Sequence, residues 1–274
     1  MKRVVCTAVA GLVLWSMTAT AAYTDITIPD TVVGSGNTWW SRTAENQEVE
    51  PGNATGQAWD MEAFLFDAAA KNLQLQGGFN MKNGHDGFYS GDIFIDVNGD
   101  AIWGAAIAGD LSPNNNGYYT VPNSAYKWDY VIAFDRALVN NTVPAGGSAL
   151  TGGYRVYSLS DSATDVEVWY DQNNKSNPFR YLRGGVEVTG AGGTVSQSYF
   201  DNSEGRHYVL EPIGLSFLGT GQNITFHFSE GCGNDFIMGQ TTSQSVPDGG
   251  LTLALLGMSL STLGIASRRM RRNQ

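Results

Sequence analysis

Apolar and polar residues alternate with a period of two through most of the chain, the repeat expected of strands with one buried and one wet face. Residues 59–66 set Trp59, Met61 and Ala63 opposite Asp60 and Glu62, and 73–76 alternate leucine with glutamine. The same reading covers 92–97, 128–134, 154–157, 166–170, 186–188 and 224–228. Between these runs lie turn clusters: Gly77-Gly78, Asn83-Gly84, Asn98-Gly99, the Asn114 to Gly117 run, Gly146-Gly147 and Gly192-Gly193. Only a short stretch near residues 67–73 has helical character. The spacing predicts an all-β chain, an antiparallel β-sandwich of jelly-roll type. A propeller would need repeats of about 40–50 residues, and no fixed-period self-similarity is present.

The two ends depart from this pattern. Lys2 and Arg3 precede an apolar run, and Ala19, Thr20 and Ala21 form a small-x-small cleavage site, so residues 1–21 read as a secretory signal peptide. At the other end, Val246, Pro247, Asp248, Gly249 and Gly250 lead into an apolar run over 251–266, followed by Arg268, Arg269, Arg271 and Arg272. Proline and paired glycines keep the first part non-helical and accessible. As a helix the apolar run would rise about 24 Å against a hydrocarbon core of about 30 Å, which suits a transient transmembrane anchor. The four arginines are a cytoplasmic stop.

This three-part tail resembles the PEP-CTERM family of bacterial sorting signals, in the variant whose motif reads Val-Pro-Asp-Gly-Gly. The resemblance implies processing by an exosortase, membrane attachment through the C-terminal helix before cleavage, and export through the inner membrane to the envelope surface or extracellular matrix. The expected organisation is a signal peptide (1–21), a surface domain (22–238), a linker (239–245) and the sorting tail (246–274).

Charge and cysteine content narrow the domain's role. The two targeting segments hold six of the 16 Lys and Arg but only one of the 26 Asp and Glu, so the exported part carries a net charge near −15. That excludes nucleic acid as a partner and favours divalent cations. Removal of Cys6 with the signal leaves Cys232, which rules out an internal disulfide and reads as a small buried side chain.

Four groups of residues carry candidate chemistry. Asp96, Asn98 and Asp100 form an Asp-x-Asn-x-Asp turn after a strand, an oxygen-rich loop suited to structural Ca²⁺, with Asp92, Glu50 or Glu62 as further ligands. A second acidic group, Glu48, Glu50, Asp60 and Glu62, reads as a polar outer face, with a glycosidase carboxylate pair as the alternative. Trp39, Trp40 and Trp103 lie near loops and are candidates to stack on sugar rings, whereas Trp59, Trp128 and Trp169 read as core. Cys232, Gly233, Asn234 and Asp235 look like the closing segment of uncharacterised β-rich exosortase-dependent surface domains, with Asn234 or Asp235 capping backbone amides. His85, His207 and His227 are too scattered for a zinc motif, and no nucleophile elbow or phosphate loop occurs. The expected function is a non-enzymatic surface or matrix component. The alternatives are a carbohydrate-binding module of the extracellular polysaccharide and a secreted glycan-active enzyme.

Overall fold

The computed structural model describes residues 23–28, 54–102, 117–159, 164–169 and 176–242. These residues are all-β, with antiparallel pairing throughout. One sheet has five strands in the order β1 (Thr24–Asp25), β2 (Met61–Asp67), β3 (Asn72–Gly77), β12 (Arg206–Gly214) and β11 (Ser196–Asp201). A second has six, ordered β10 (Val186–Thr194), β7 (Leu150–Ser158), β6 (Tyr130–Arg136), β4 (Ile93–Asp96), β13 (Asn223–Ser229) and β14 (Phe236–Thr242). The third has three: β5 (Tyr118–Pro122), β8 (Asp165–Trp169) and β9 (Arg180–Arg183).

Hydrophobic burial explains why the six-stranded sheet is central. Its one face contributes Ile93, Ile95, Ile132, Phe226 and Phe228 to a cluster shared with Phe64, Leu73, Leu75, Leu210 and Ile213 of the five-stranded sheet. Its other face contributes Phe94, Val131, Phe236 and Met238 to a second cluster with Val121, Val166 and Val168 of the three-stranded sheet. A strand covered on both faces must be apolar at successive positions, and all four residues of β4 are buried. In contrast, β3 buries Leu73 and Leu75 while its alternate polar residues stay half-buried. Each such side chain contributes about 1.5–3 kcal/mol by leaving water.

Several local expectations change in the folded chain. The stretch with helical character is the β2–β3 hairpin turn, in which Asp67 Oδ1 accepts the backbone N–H groups of Ala69 and Ala70 at 2.9 and 3.0 Å. A carboxylate that caps two amides this way competes with helix. Trp59 ends a 3₁₀ turn, Gln57–Trp59, ahead of β2 rather than starting the strand. Asp60, expected outside, is fully buried, since the backbone folds Gly78 and Phe79 over its carbonyl. The strand β14 runs on through Thr242, into the stretch expected as linker. The third sheet adds a layer that a two-sheet reading does not contain. No helix among the described residues is long and apolar enough to cross a membrane, and the expected transmembrane run lies outside them.

Candidate functional site

Two buried ion pairs, one beside β4 and β6 and one between β8 and β9, link the six- and three-stranded sheets through the backbone groups they also bind. Arg136, at the end of β6, reaches Asp92 Oδ1 at 2.8 Å and also donates to the carbonyls of Ser90 (2.7 Å) and Gly91 (2.8 Å). Asp92 in turn accepts the N–H of Phe134 (3.0 Å) and, through Oδ2, that of Tyr181 on β9 (2.9 Å). Burial lowers the Arg136 pKa and the Asp92 charge opposes that shift. Beside it, Arg180 pairs with Glu167 at 2.8 Å, and Glu167 also accepts the Gly146 N–H at 3.1 Å. Each of these four buried charges is matched, which is the condition for keeping ions out of water.

Above the pairs lies a groove of about 690 Å³ whose walls come from β6, the loop that follows it, β7 and β9. Outward positions of β7 present Arg155 and Tyr157, since Tyr154 and Val156 point into the core. Tyr157 stacks on Tyr181 with ring centroids 4.7 Å apart and planes 19° apart. The Tyr181 hydroxyl donates to the Gly184 carbonyl at 2.6 Å, and burial pushes its pKa up to about 12, so the phenol stays neutral. Across the groove Asp135 Oδ1 stands 3.9 Å from Arg155 Nε. Asp135 lies over Gly153 of β7, where a Cβ would push its carboxylate aside.

The acidic turn after β4 is closed mainly on itself. Asp96 Oδ1 accepts the N–H groups of Asn98 (3.0 Å) and Gly99 (2.9 Å), and Asn98 Oδ1 accepts that of Asp100 (2.9 Å). Gly99 takes φ +81°, a conformation that favours glycine. Asp100 faces Lys127 at 3.7 Å. The structure adds Asp129, which accepts from Val97 N–H and from Asn98 Nδ2 at 2.8 and 3.0 Å. Its pKa is raised by burial first and then by the neighbouring Asp96 and Asp100 charges. Of the further ligands considered, Asp92 is spent on Arg136, while Glu62 binds His207, Gln57 (2.6 Å) and Gln76 (2.8 Å). Among the described residues no three His, Cys, Asp or Glu side chains are grouped to hold a metal ion.

The β13–β14 connection buries its polar side chains. Asn234 clamps Ala54 by accepting its N–H (3.0 Å) and donating to its carbonyl (2.9 Å). Asp235 accepts the N–H groups of Met61 (2.6 Å) and Phe236 (2.8 Å). Both therefore cap backbone, Asp235 joining the turn to the five-stranded sheet. Cys232 is buried, and burial followed by the Glu230 charge raises its thiol pKa far above the range of a nucleophile. Glu230 is raised well above an ordinary carboxyl by burial and by Asp235, and its Oε1 has no hydrogen-bond partner. His227 is fully buried, stacked on Trp128, and lowered to about 4 by desolvation, so it is a neutral core residue.

The sorting motif Val246 to Gly250, the arginines 268, 269, 271 and 272, Glu48, Glu50 and the tryptophans Trp39, Trp40 and Trp103 lie outside the described residues. Tyr157 escaped sequence reasoning because the face it takes within 154–157 was open, and Tyr181 because its strand, β9, carries no alternation long enough to read. The available signal was Arg155 and Tyr157 flanking Val156, a polar and an aromatic residue on the face opposite Tyr154 and Val156. No protein-family model, curated protein or solved structure matches this chain.

Proposed function

We propose that the chain is an exported, non-enzymatic component of the cell surface or extracellular matrix, delivered by an N-terminal signal and processed by an exosortase at residues 246–250. The observation that carries this reading is the order of the C-terminal parts: an accessible Val-Pro-Asp-Gly-Gly, an apolar run short of a full span, and an arginine stop. The net charge near −15 of the exported part supports it, since self-repulsion keeps such a domain soluble and monodisperse outside the cell. The architecture we infer is a β-sandwich of the five- and six-stranded sheets, with the three-stranded sheet as an added outer layer. Its polar interior is consumed in holding these layers: Asp92 with Arg136, Glu167 with Arg180, and Asn234 and Asp235 on backbone.

Expression of a tagged chain in an exosortase-bearing host tests the proposal. Cleavage near residue 246 and loss of envelope localisation on deletion of 246–274 are expected. An unchanged mature size and location after that deletion would overturn it.

We also propose calcium as a structural ion at Asp96, Asn98 and Asp100, now with Asp129 in place of Asp92 or Glu62. The charges of Asp96 and Asp100, which raise the Asp129 pKa after burial does, support this reading, because a divalent ion at the turn offsets them. The turn's oxygens already accept backbone amides, so the ion would tighten a formed loop rather than create one.

A further inference from the structure

We propose that the groove between β6, β7 and β9 binds a neutral glycan, with the Tyr157–Tyr181 wall packing against sugar rings and the Asp135–Arg155 pair gripping adjacent hydroxyls. The volume of about 690 Å³ falls in the range of small-molecule sites, about 300–1,000 Å³. Its composition decides the chemistry of the occupant.

The wall is apolar and rigid. Tyr157 and Tyr181 fix each other by stacking, and the Gly184 hydrogen bond fixes the Tyr181 ring further. Leu138, 62% exposed, continues the apolar surface at the rim. Pyranose rings offer C–H faces to such surfaces while keeping their hydroxyls at the edge, where polar groups wait.

Those polar groups are one donor and one acceptor held close. Arg155 and Asp135 keep 58% and 46% of their side chains exposed, and at 3.9 Å they are too far apart for a hydrogen bond. Arg155 stands two residues from Tyr157 on the same outward face of β7, which sets its guanidinium beside the aromatic wall. A vicinal diol fits between them, since each hydroxyl both donates and accepts. One hydroxyl donates to the Asp135 carboxylate and its neighbour accepts from the guanidinium.

Charge selects against acidic sugars. The cations Arg136 and Arg180 lie at the floor but are saturated by Asp92, Glu167 and backbone carbonyls. Arg155 is balanced by Asp135, so among the described residues that line the groove every cation is paired, in a chain already strongly negative. Glycan binding in this groove and sorting by the C-terminal tail are independent properties, and either can fail alone.

The test is calorimetric titration of the full-length chain in detergent with cellohexaose, laminarihexaose and mannohexaose, against hexagalacturonate as the acidic probe. Saturable binding to at least one neutral probe is expected, with hexagalacturonate at least tenfold weaker. Arg155→Met and Asp135→Asn, at exposed positions, should each weaken binding about tenfold with an unchanged melting midpoint. Tyr157→Ala, which removes one ring of the stacked wall, should weaken binding about tenfold as well. Tyr199→Ala, exposed on β11 of the other sheet, should bind as wild type. The proposal is overturned if no neutral probe binds, if hexagalacturonate binds best, or if the groove variants match wild type.

Discussion

Replacement of Asp92 by alanine isolates what holds the three-stranded sheet in place. The carboxylate accepts three hydrogen bonds, from Arg136 Nη2 (2.8 Å), Phe134 N–H (3.0 Å) and Tyr181 N–H (2.9 Å). Its side chain and that of Arg136 are 2% and 3% exposed, so water cannot take its place. Removal strands a buried guanidinium, which costs about 3–5 kcal/mol. Each orphaned amide adds about 1 kcal/mol or more where water stays excluded. A loss of at least about 4 kcal/mol is expected, a large share of the roughly 5–15 kcal/mol that stabilises a domain. For a domain of this size it should lower the melting midpoint by about 8–16 °C. Asp92→Ala with Arg136→Met should recover part of the loss, because the stranded charge goes too. Urea and thermal unfolding of residues 22–245 measure both. A single-variant loss below about 1 kcal/mol, or a double variant no better than the single, would refute the account of a buried and fully matched pair.

Two further predictions follow from buried ionisable groups. His227 titrates at about 4 when folded against 6.5 when unfolded, so the native state binds fewer protons between those values and stability rises with pH across that window, by about 3 kcal/mol in all. Glu230, raised from 4.5, has the opposite sign: the folded state keeps its proton, and stability falls as pH rises above 4.5 toward the folded pKa. Glu230→Gln should therefore unmask the histidine's rise between pH 4.5 and 6.5 and remove the loss above it; an unaltered stability–pH profile would count against a protonated Glu230. For calcium, melting residues 22–245 with Ca²⁺, Mg²⁺ or chelator should show a Ca²⁺-specific rise worth about 2.7 kcal/mol at a hundredfold excess over Kd. The rise should vanish in Asp96→Ala with Asp100→Ala, and equal midpoints in all conditions would leave the turn a hairpin capped by its own amides.

The all-β class was legible in the sequence because the pleat alternates side chains regardless of what a strand pairs with, while strands with a weaker alternation, such as β5, β9, β11 and β12, were not. The alternation of Leu73 and Leu75 with glutamines, and of Phe226 and Phe228 with Thr225 and His227, needs only local geometry. Turns were legible for the same reason: Asn98-Gly99 closes through Asp96, two residues away. The burial of Cys232 followed from its residue type, a small side chain that behaves as an apolar one.

Tertiary structure alone decided which polar residues are interior and what they hold. Asp92 meets Arg136 across 44 positions, Glu62 meets His207 across 145, and Asn234 meets Ala54 across 180. No local period records such a partner, since an acidic residue on a strand looks the same whether its face meets water or a buried arginine. Two apolar faces on β4 likewise imply a covering layer without saying which strands supply it. The groove has the same origin: Tyr157 and Tyr181 lie on strands of different sheets, and only the docking of those sheets stacks one ring on the other.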